Sequence, residues 1–251
     1  MINNYTLNVS AGGVFSKFMF VIQNAQAINP NFNSIYINNV DSRSLTGLEN
    51  IFNNILEQDN TNNEETYGCK HLGTYNKLNP IENSVKLNDY KKIVKKLTFK
   101  KTLQEKIDYY LNYLNINDSV IGLHIRLCDM NTAHGKEYGI LSFDDFLSEI
   151  KKHITDNTKI FVASDNYESI DKLKKEFGDK ILYIPDFIRG IKEDDNTGKL
   201  QLANFKNSKL WEEAFIEMFL LSKCGILICR TSNLNNASVI YSDTIKKIIR
   251  L

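Results

Sequence analysis

Between residues 119 and 230 the chain alternates short apolar runs with amphipathic stretches, and few folds accept that alternation. The runs are residues 119–126 (SVIGLHIR), 159–165 (KIFVASD), 180–185 (KILYIP) and 225–230 (GILICR). Each has strand length and no polar face, as expected of strands covered on both sides. The spacing predicts helices over 143–153, 168–177 and 208–223. In the last, Trp211, Ala214, Phe215, Met218 and Phe219 fall at i, i+3, i+4, i+7 and i+8, with Glu212, Glu213 and Glu217 off that stripe. Strand and helix in repetition specify a parallel sheet with crossover helices, an α/β fold.

The N-terminal part repeats the theme more weakly. The pattern predicts a strand over 5–9, a glycine turn, a helix over about 14–28 and a strand over 34–40, with a further helix over 48–56. Residues 58–68 (QDNTNNEETYG) are polar and read as a loop. Residues 89–114 read as one or two basic helices joining two α/β halves, and KKIVKKLTFKK as their solvated face. The expected division is 1–95 and 96–251. Residues 187–207 are polar and aperiodic, with Gly190, Gly198 and an acidic EDDN segment. An irregular stretch of that length is expected to be a lid or a binding loop.

Charge removes several function classes. With 31 Lys+Arg against 30 Asp+Glu, the 251-residue chain carries a formal charge of +1. That balance gives no general reason to bind nucleic acid or an anionic membrane, so any phosphate must be gripped locally. Cys69, Cys128, Cys224 and Cys229 form no CxxC pair and have no His spacing suited to zinc. There is no run of 18 apolar residues, and the first residues lack a basic leader pattern. The expectation is a cytoplasmic protein with no transmembrane segment.

In an open α/β sheet the strand carboxyl ends face the ligand crevice. Four groups belong there by position. His124 and Arg126, with Asp129 just beyond, close the first run. Arg126 offers a rigid five-donor fork matched to phosphate oxygens, or else makes an ordinary surface ion pair. Asp165 closes the second run. Its carboxylate can accept two N–H bonds from a guanine edge, or it can cap a helix with Glu168 three residues on. Thr231, Ser232 and Asn233 follow the last run. Hydroxyl residues at a helix N-terminus cap it and can also donate to an anion. Gly12 and Gly13 lie after the first strand, where glycine permits a tight turn or a close ligand, but the segment is neither GxGxxG nor a P-loop. His71, His134 and His153 show no metal spacing.

Taken in order, HIRLCD, VASDN and EMFLLSKCGILICRTSN resemble the three segments that mark the fucosyltransferase superfamily of the GT-B fold, which includes α1,2-, α1,6- and protein O-fucosyltransferases. The resemblance covers residues 120–241; the N-terminal glycine turn is similar more weakly, with Ser16 and Lys17 near the position of a common Asn. It implies two Rossmann-like lobes, with 1–95 on the acceptor side and 96–251 binding the nucleotide sugar. It also implies a GDP-fucose donor and a glycan acceptor. By the same resemblance Arg126 grips the β-phosphate, His124 lies near the guanine and Asp165 reads it, Thr231, Ser232 and Asn233 turn at the pyrophosphate, and Glu217 matches an acidic helix position. That Glu could equally face solvent. The family often has a second arginine where this chain has Leu127, and Arg230 could supply that charge from another strand.

Breaking a glycosyl–diphosphate bond leaves negative charge on the departing oxygens, so fixed cations and N–H donors there lower the barrier. The chain carries no D-x-D, and the expectation is inverting transfer with neither metal nor cofactor. The acceptor hydroxyl needs a general base; Asp129 is the first candidate, with Glu137 and His134 behind it. The alternatives are a transferase using a UDP-sugar or GDP-mannose, and a non-catalytic GT-B relic that holds nucleotide or glycan. A dinucleotide oxidoreductase lacks its glycine fingerprint here.

Overall fold

A computed structural model describes residues 4–9, 14–28, 33–39, 48–57, 66–67, 81–127, 140–190 and 208–251. The N-terminal strands β1 (Asn4–Val9), β2 (Ser34–Asn39), β3 (Ile55–Glu57) and β4 (Thr66–Tyr67) form a parallel sheet in the order β3-β2-β1-β4. Helix α1 (Val14–Ile28) links β1 to β2, and α2 (Leu87–Val94) and α3 (Lys101–Tyr113) follow the sheet. The second sheet is also parallel, with β5 (Ile121–Ile125), β6 (Ile160–Ser164), β7 (Ile181–Leu182), β8 (Ile226–Cys229) and β9 (Lys247–Arg250) in the order β7-β6-β5-β8-β9. Its helices are α4 (Phe143–Lys151), α5 (Tyr167–Phe177), α6 (Ser208–Leu221) and α7 (Asn233–Tyr241). Both sheets are wound outward from a central first strand, and in both the order reverses beside that strand, which opens a crevice at the strand carboxyl ends.

The unbroken apolar character of β5, β6 and β8 follows from cover on both faces. Ile121, Leu123, Ile125, Ile160, Val162 and Ile228 pack with Phe146 and Ile150 of α4 and Ile170 and Leu173 of α5. The opposite face, with Phe161, Ala163, Leu227 and Cys229, packs with Phe215, Met218 and Leu221 of α6. At Gly225 a Cβ would stand 2.0 Å from the Asp118 carbonyl oxygen, so only glycine lets β8 start this close to the chain leading into β5.

Helix α1 is largely apolar because it is enclosed by β1, α2 and the helices α6 and α7 that cover the second sheet. The Phe18 ring stacks on Phe52 at 5.5 Å, meets Phe215 edge-on at 5.5 Å and stacks on Tyr241 at 6.1 Å. One continuous core therefore holds residues of both sheets. Lys17 is buried within this helix.

Several expectations need correction. Residues 48–56 are not a helix: a single 3-10 turn at Leu48–Asn50 leads into β3. Asn53 and Asn54 supply the reason. Asn53 Nδ2 donates to the Phe99 carbonyl at 2.9 Å, Asn54 Nδ2 donates to that of Lys96 at 3.1 Å, and Asn54 Oδ1 accepts from the Thr98 N–H at 2.9 Å. Asn side chains that bond to backbone elsewhere compete with helix formation. Within 58–68, Thr66–Tyr67 form β4, paired with β1. The expected strand over 180–185 shrinks to two residues. Strand β9 is additional: KIIR is short, lies at the sheet edge and is only half-buried, so it carries no strong apolar signal.

Candidate active site

The central strand β5 lies between β6 and β8 in register, His124 opposite Ala163 on one side and Cys229 on the other. Arg126 leaves the end of β5 and Arg230, Thr231 and Ser232 leave the end of β8, so these residues stand side by side at one sheet edge where the strand order reverses. His124 is buried on β5, and Arg126 is partly exposed. Leu127 is buried in the core beneath α4 and α5, so the position after Arg126 is a packing position in this chain.

The turn after β8 is built by the start of α7. Ser232 is its N-cap, with Oγ accepting from the Asn235 N–H at 3.2 Å. Asn235 Nδ2 donates back to the Arg230 carbonyl at 2.6 Å, which pins the backbone of that turn. The Thr231 hydroxyl is buried and has no hydrogen-bond partner among the described residues. Asn233 Nδ2 donates to Ser16 Oγ in the first turn of α1 at 2.9 Å, so the N-terminal ends of α1 and α7 meet. Gly12, Gly13, Asp129, His134 and Glu137 lie outside the described residues, as do residues 191–207 of the expected loop.

At the end of β6 the helix cap falls on Asn166, not Asp165: Asn166 Oδ1 accepts from the Ser169 N–H at 2.8 Å. The capping alternative for Asp165 is thereby removed. Asn166 Nδ2 instead donates to Asp165 Oδ1 at 3.0 Å. Glu217 does not face solvent. It and Glu213 are buried on α6, and Glu217 Oε1 accepts from Arg189 Nη2 at 2.6 Å. Burial pushes the Glu217 carboxyl above its ordinary range; Arg189 opposes the rise, while Glu213 and Asp165 add to it. Burial raises Glu213 likewise. Glu217, Glu213 and Asp165 thus lie close enough to influence one another, with Arg189 against Glu217 and Lys209 against Glu213.

Arg189 escaped the sequence reading because it sits in an aperiodic segment where no pattern distinguishes a buried arginine from a solvated one. On the opposite flank, Arg250 at the end of β9 makes a bidentate pair with Glu82, at 2.6 and 2.7 Å, and donates to Asn236 Oδ1 at 3.1 Å. Cys224 and Cys229 are free and buried, and burial pushes the Cys229 thiol up to about 12, far from reactive.

The fold is that of a GT-B fucosyltransferase. The chain is similar to the NodZ α-1,6-fucosyltransferase co-crystallized with GDP, with TM-score 0.57 and 12% identity over 99% of this chain and 95% of that one. It is equally similar to the fucosyltransferase NodZ from Bradyrhizobium, with TM-score 0.56 and 13% identity over 98% and 95% of the two chains. The same enzyme soaked with GDP-fucose matches with TM-score 0.56 and 12% identity over 99% and 95%. No family model matches the sequence, and no curated protein matches it. Within this GT-B fold, no helix among the described residues is long and apolar enough to cross a membrane.

Proposed function

We propose that the protein is an inverting glycosyltransferase that takes its sugar from a nucleoside-diphosphate donor, GDP-fucose first, and passes it to a glycan hydroxyl. The observation that carries this reading is the placement of Arg126 and the Thr231–Ser232–Asn233 turn on neighbouring strand ends at the reversal of strand order, within a fold shared with NodZ. Arg126 and Arg230 supply fixed positive charge to the two phosphates. The first N–H groups of α7 and the buried Thr231 hydroxyl add donors there. Interactions that strengthen as charge builds on the leaving diphosphate lower the barrier, which is where such donors act. At the other end, Asp165 accepts from the guanine edge, with His124 beside the base on the central strand.

Residues 1–95 form the acceptor side in this reading, with Gly12 and Gly13 turning close to the donor. Asp129 takes the proton of the attacking hydroxyl, and Glu137 and His134 stand behind it in the same segment. The transfer needs no metal ion, since the chain carries no D-x-D. Titration calorimetry with GDP, UDP and NAD, followed by an assay of GDP-fucose turnover, tests the reading. Preferential binding of GDP and turnover that collapses in Arg126→Ala support it. Preference for UDP moves the donor, binding without turnover leaves a nucleotide-binding protein, and binding of NAD alone discards it.

A further inference from the structure

Residues 184–190 have no regular structure, yet hydrogen bonds hold them to three different elements. Tyr167 Oη at the start of α5 shares its one O–H proton between the Pro185 and Phe187 carbonyls, at 3.0 and 2.9 Å. The Ile188 N–H donates to Glu213 Oε2 on α6 at 3.0 Å. Gly190 bridges in parallel to Asn166: its N–H donates to the Asp165 carbonyl at 2.9 Å, and its own carbonyl accepts from the Tyr167 N–H at 2.8 Å. Arg189 ties these together. Its Nη1 donates to the Ser164 carbonyl at 3.1 Å, and its Nη2 to the Ile184 carbonyl at 3.2 Å and to Glu217 Oε1 at 2.6 Å. The side chain is 2% exposed and that of Glu217 11%.

A guanidinium buried this deeply is costly without an anion beside it and acceptors for its N–H groups; Glu217 and two carbonyls meet both Nη groups of Arg189, while its Nε has no partner among the described residues. Its planar fork reaches acceptors in separate directions at once, which an ammonium on a flexible stem cannot do with the same rigidity. The acceptors it has taken are the carbonyl immediately before Asp165, a carbonyl just past β7, and a carboxylate on α6. Gly190, the next residue, then bonds to the backbone of Asp165 itself. From the other side Asn166, fixed as a helix cap, donates to the Asp165 carboxylate.

We infer that Arg189 is a positioning residue for base selection: by locking the end of β6 between β7 and α6, it aims the Asp165 carboxylate at the edge of the nucleobase. The inference rests on the donor reading above, in which Asp165 accepts from guanine. It goes further in assigning base selectivity to a side chain that touches no part of the nucleotide.

A guanine offers the carboxylate two N–H groups, and hypoxanthine offers one, so IDP reports the aim of Asp165 and UDP reports the phosphate grip. The experiment is calorimetric titration of the full chain with GDP, IDP and UDP, alongside the melting temperature, for wild type, Arg189→Met and Arg189→Met/Glu217→Met. Wild type is expected to prefer GDP over IDP by about tenfold or more, the effect of leaving an ionised acceptor half satisfied. In Arg189→Met that preference falls towards unity while UDP affinity holds. The double variant removes the orphaned Glu217 charge, so it regains melting temperature but not preference, and it carries the test if the single variant fails to fold. Retention of the GDP/IDP ratio in either variant overturns the inference and leaves Arg189 a structural residue. A wild type without that ratio also overturns it, and a wild type that binds no nucleoside diphosphate overturns the donor reading itself.

Discussion

Two arginine–glutamate pairs flank the central strand at its carboxyl edge, and their glutamates titrate in opposite directions. Arg189 and Glu217 lie on the β6–β7 side, Arg250 and Glu82 on the β8–β9 side. At Glu82, burial pushes the carboxyl up, but the Arg250 hydrogen bonds and charge together outweigh it and hold the group below its ordinary range. At Glu217 the same chemistry loses to burial, because the carboxylate is deeper and the negative charges of Glu213 and Asp165 add to the rise. Contact geometry alone does not fix the electrostatic outcome of an ion pair; desolvation and the surrounding charges do. One flank is a latch tying the edge strand to the segment before α2. The other is a buried cluster in which Glu217 meets Arg189 and Glu213 meets the more exposed Lys209.

The largest effect expected lies between the flanks. Arg126→Ala should lower GDP-fucose turnover by about 100-fold or more, the scale of losing a donor at a developing oxyanion, whereas Glu82→Gln should leave turnover unchanged. Equal losses in both would erase the distinction between latch and site. Next, Glu217→Ala strands a buried guanidinium and should cost about 3–5 kcal/mol. At about 2–4 °C per kcal/mol for a chain of this size, calorimetry should record a melting point lower by roughly 6–20 °C. Glu82→Ala breaks a pair with more solvent access and should cost about 1–3 kcal/mol; a loss matching that of Glu217→Ala would break the claim that burial separates the two.

The pH dependence sharpens the same contrast. A carboxyl whose folded value is lowered adds stability above its unfolded value and loses it as acid titrates through the folded one; a raised carboxyl does the reverse, losing stability as pH rises from the ordinary carboxylate range through its folded value. Subtracting wild-type melting temperatures from those of Glu82→Gln should therefore give a difference that worsens with rising pH, and from those of Glu217→Gln one that improves. Parallel slopes would refute the assignment. The smallest effect belongs to the neutral contact between the lobes: Ser16→Ala removes the acceptor for Asn233 and should cost about 1 kcal/mol in urea unfolding.

Where the sequence could be read, a single physical regularity was at work. Strands β5, β6 and β8 and helices α1, α4, α5 and α6 each carry enough apolar residues at one period to mark themselves, and their ranges differ from the reading by a few residues. The region 48–56 defeated it because Asn53 and Asn54 spend their side chains on residues 96–99, more than forty positions away. Strands β4 and β9 were too short to show a period. At the candidate site, the positions of Arg126 and the Thr231 turn follow from strand ends and were legible; Arg189 was not, because its meaning comes from carbonyls and a carboxylate on three separate elements. Glu217 was placed off the apolar stripe, where helical spacing belongs, and then buried by a segment that spacing cannot see.

Local apolar periodicity thus determined that this chain is a doubly wound α/β protein and which residues stand at its strand ends, since side-chain period and backbone geometry are coupled within a few residues. Only the tertiary structure decided which of those ends are neighbours, which glutamates lose their water, and which arginine is held inside. Those outcomes depend on distances between segments remote in the chain and on the dielectric that their packing creates.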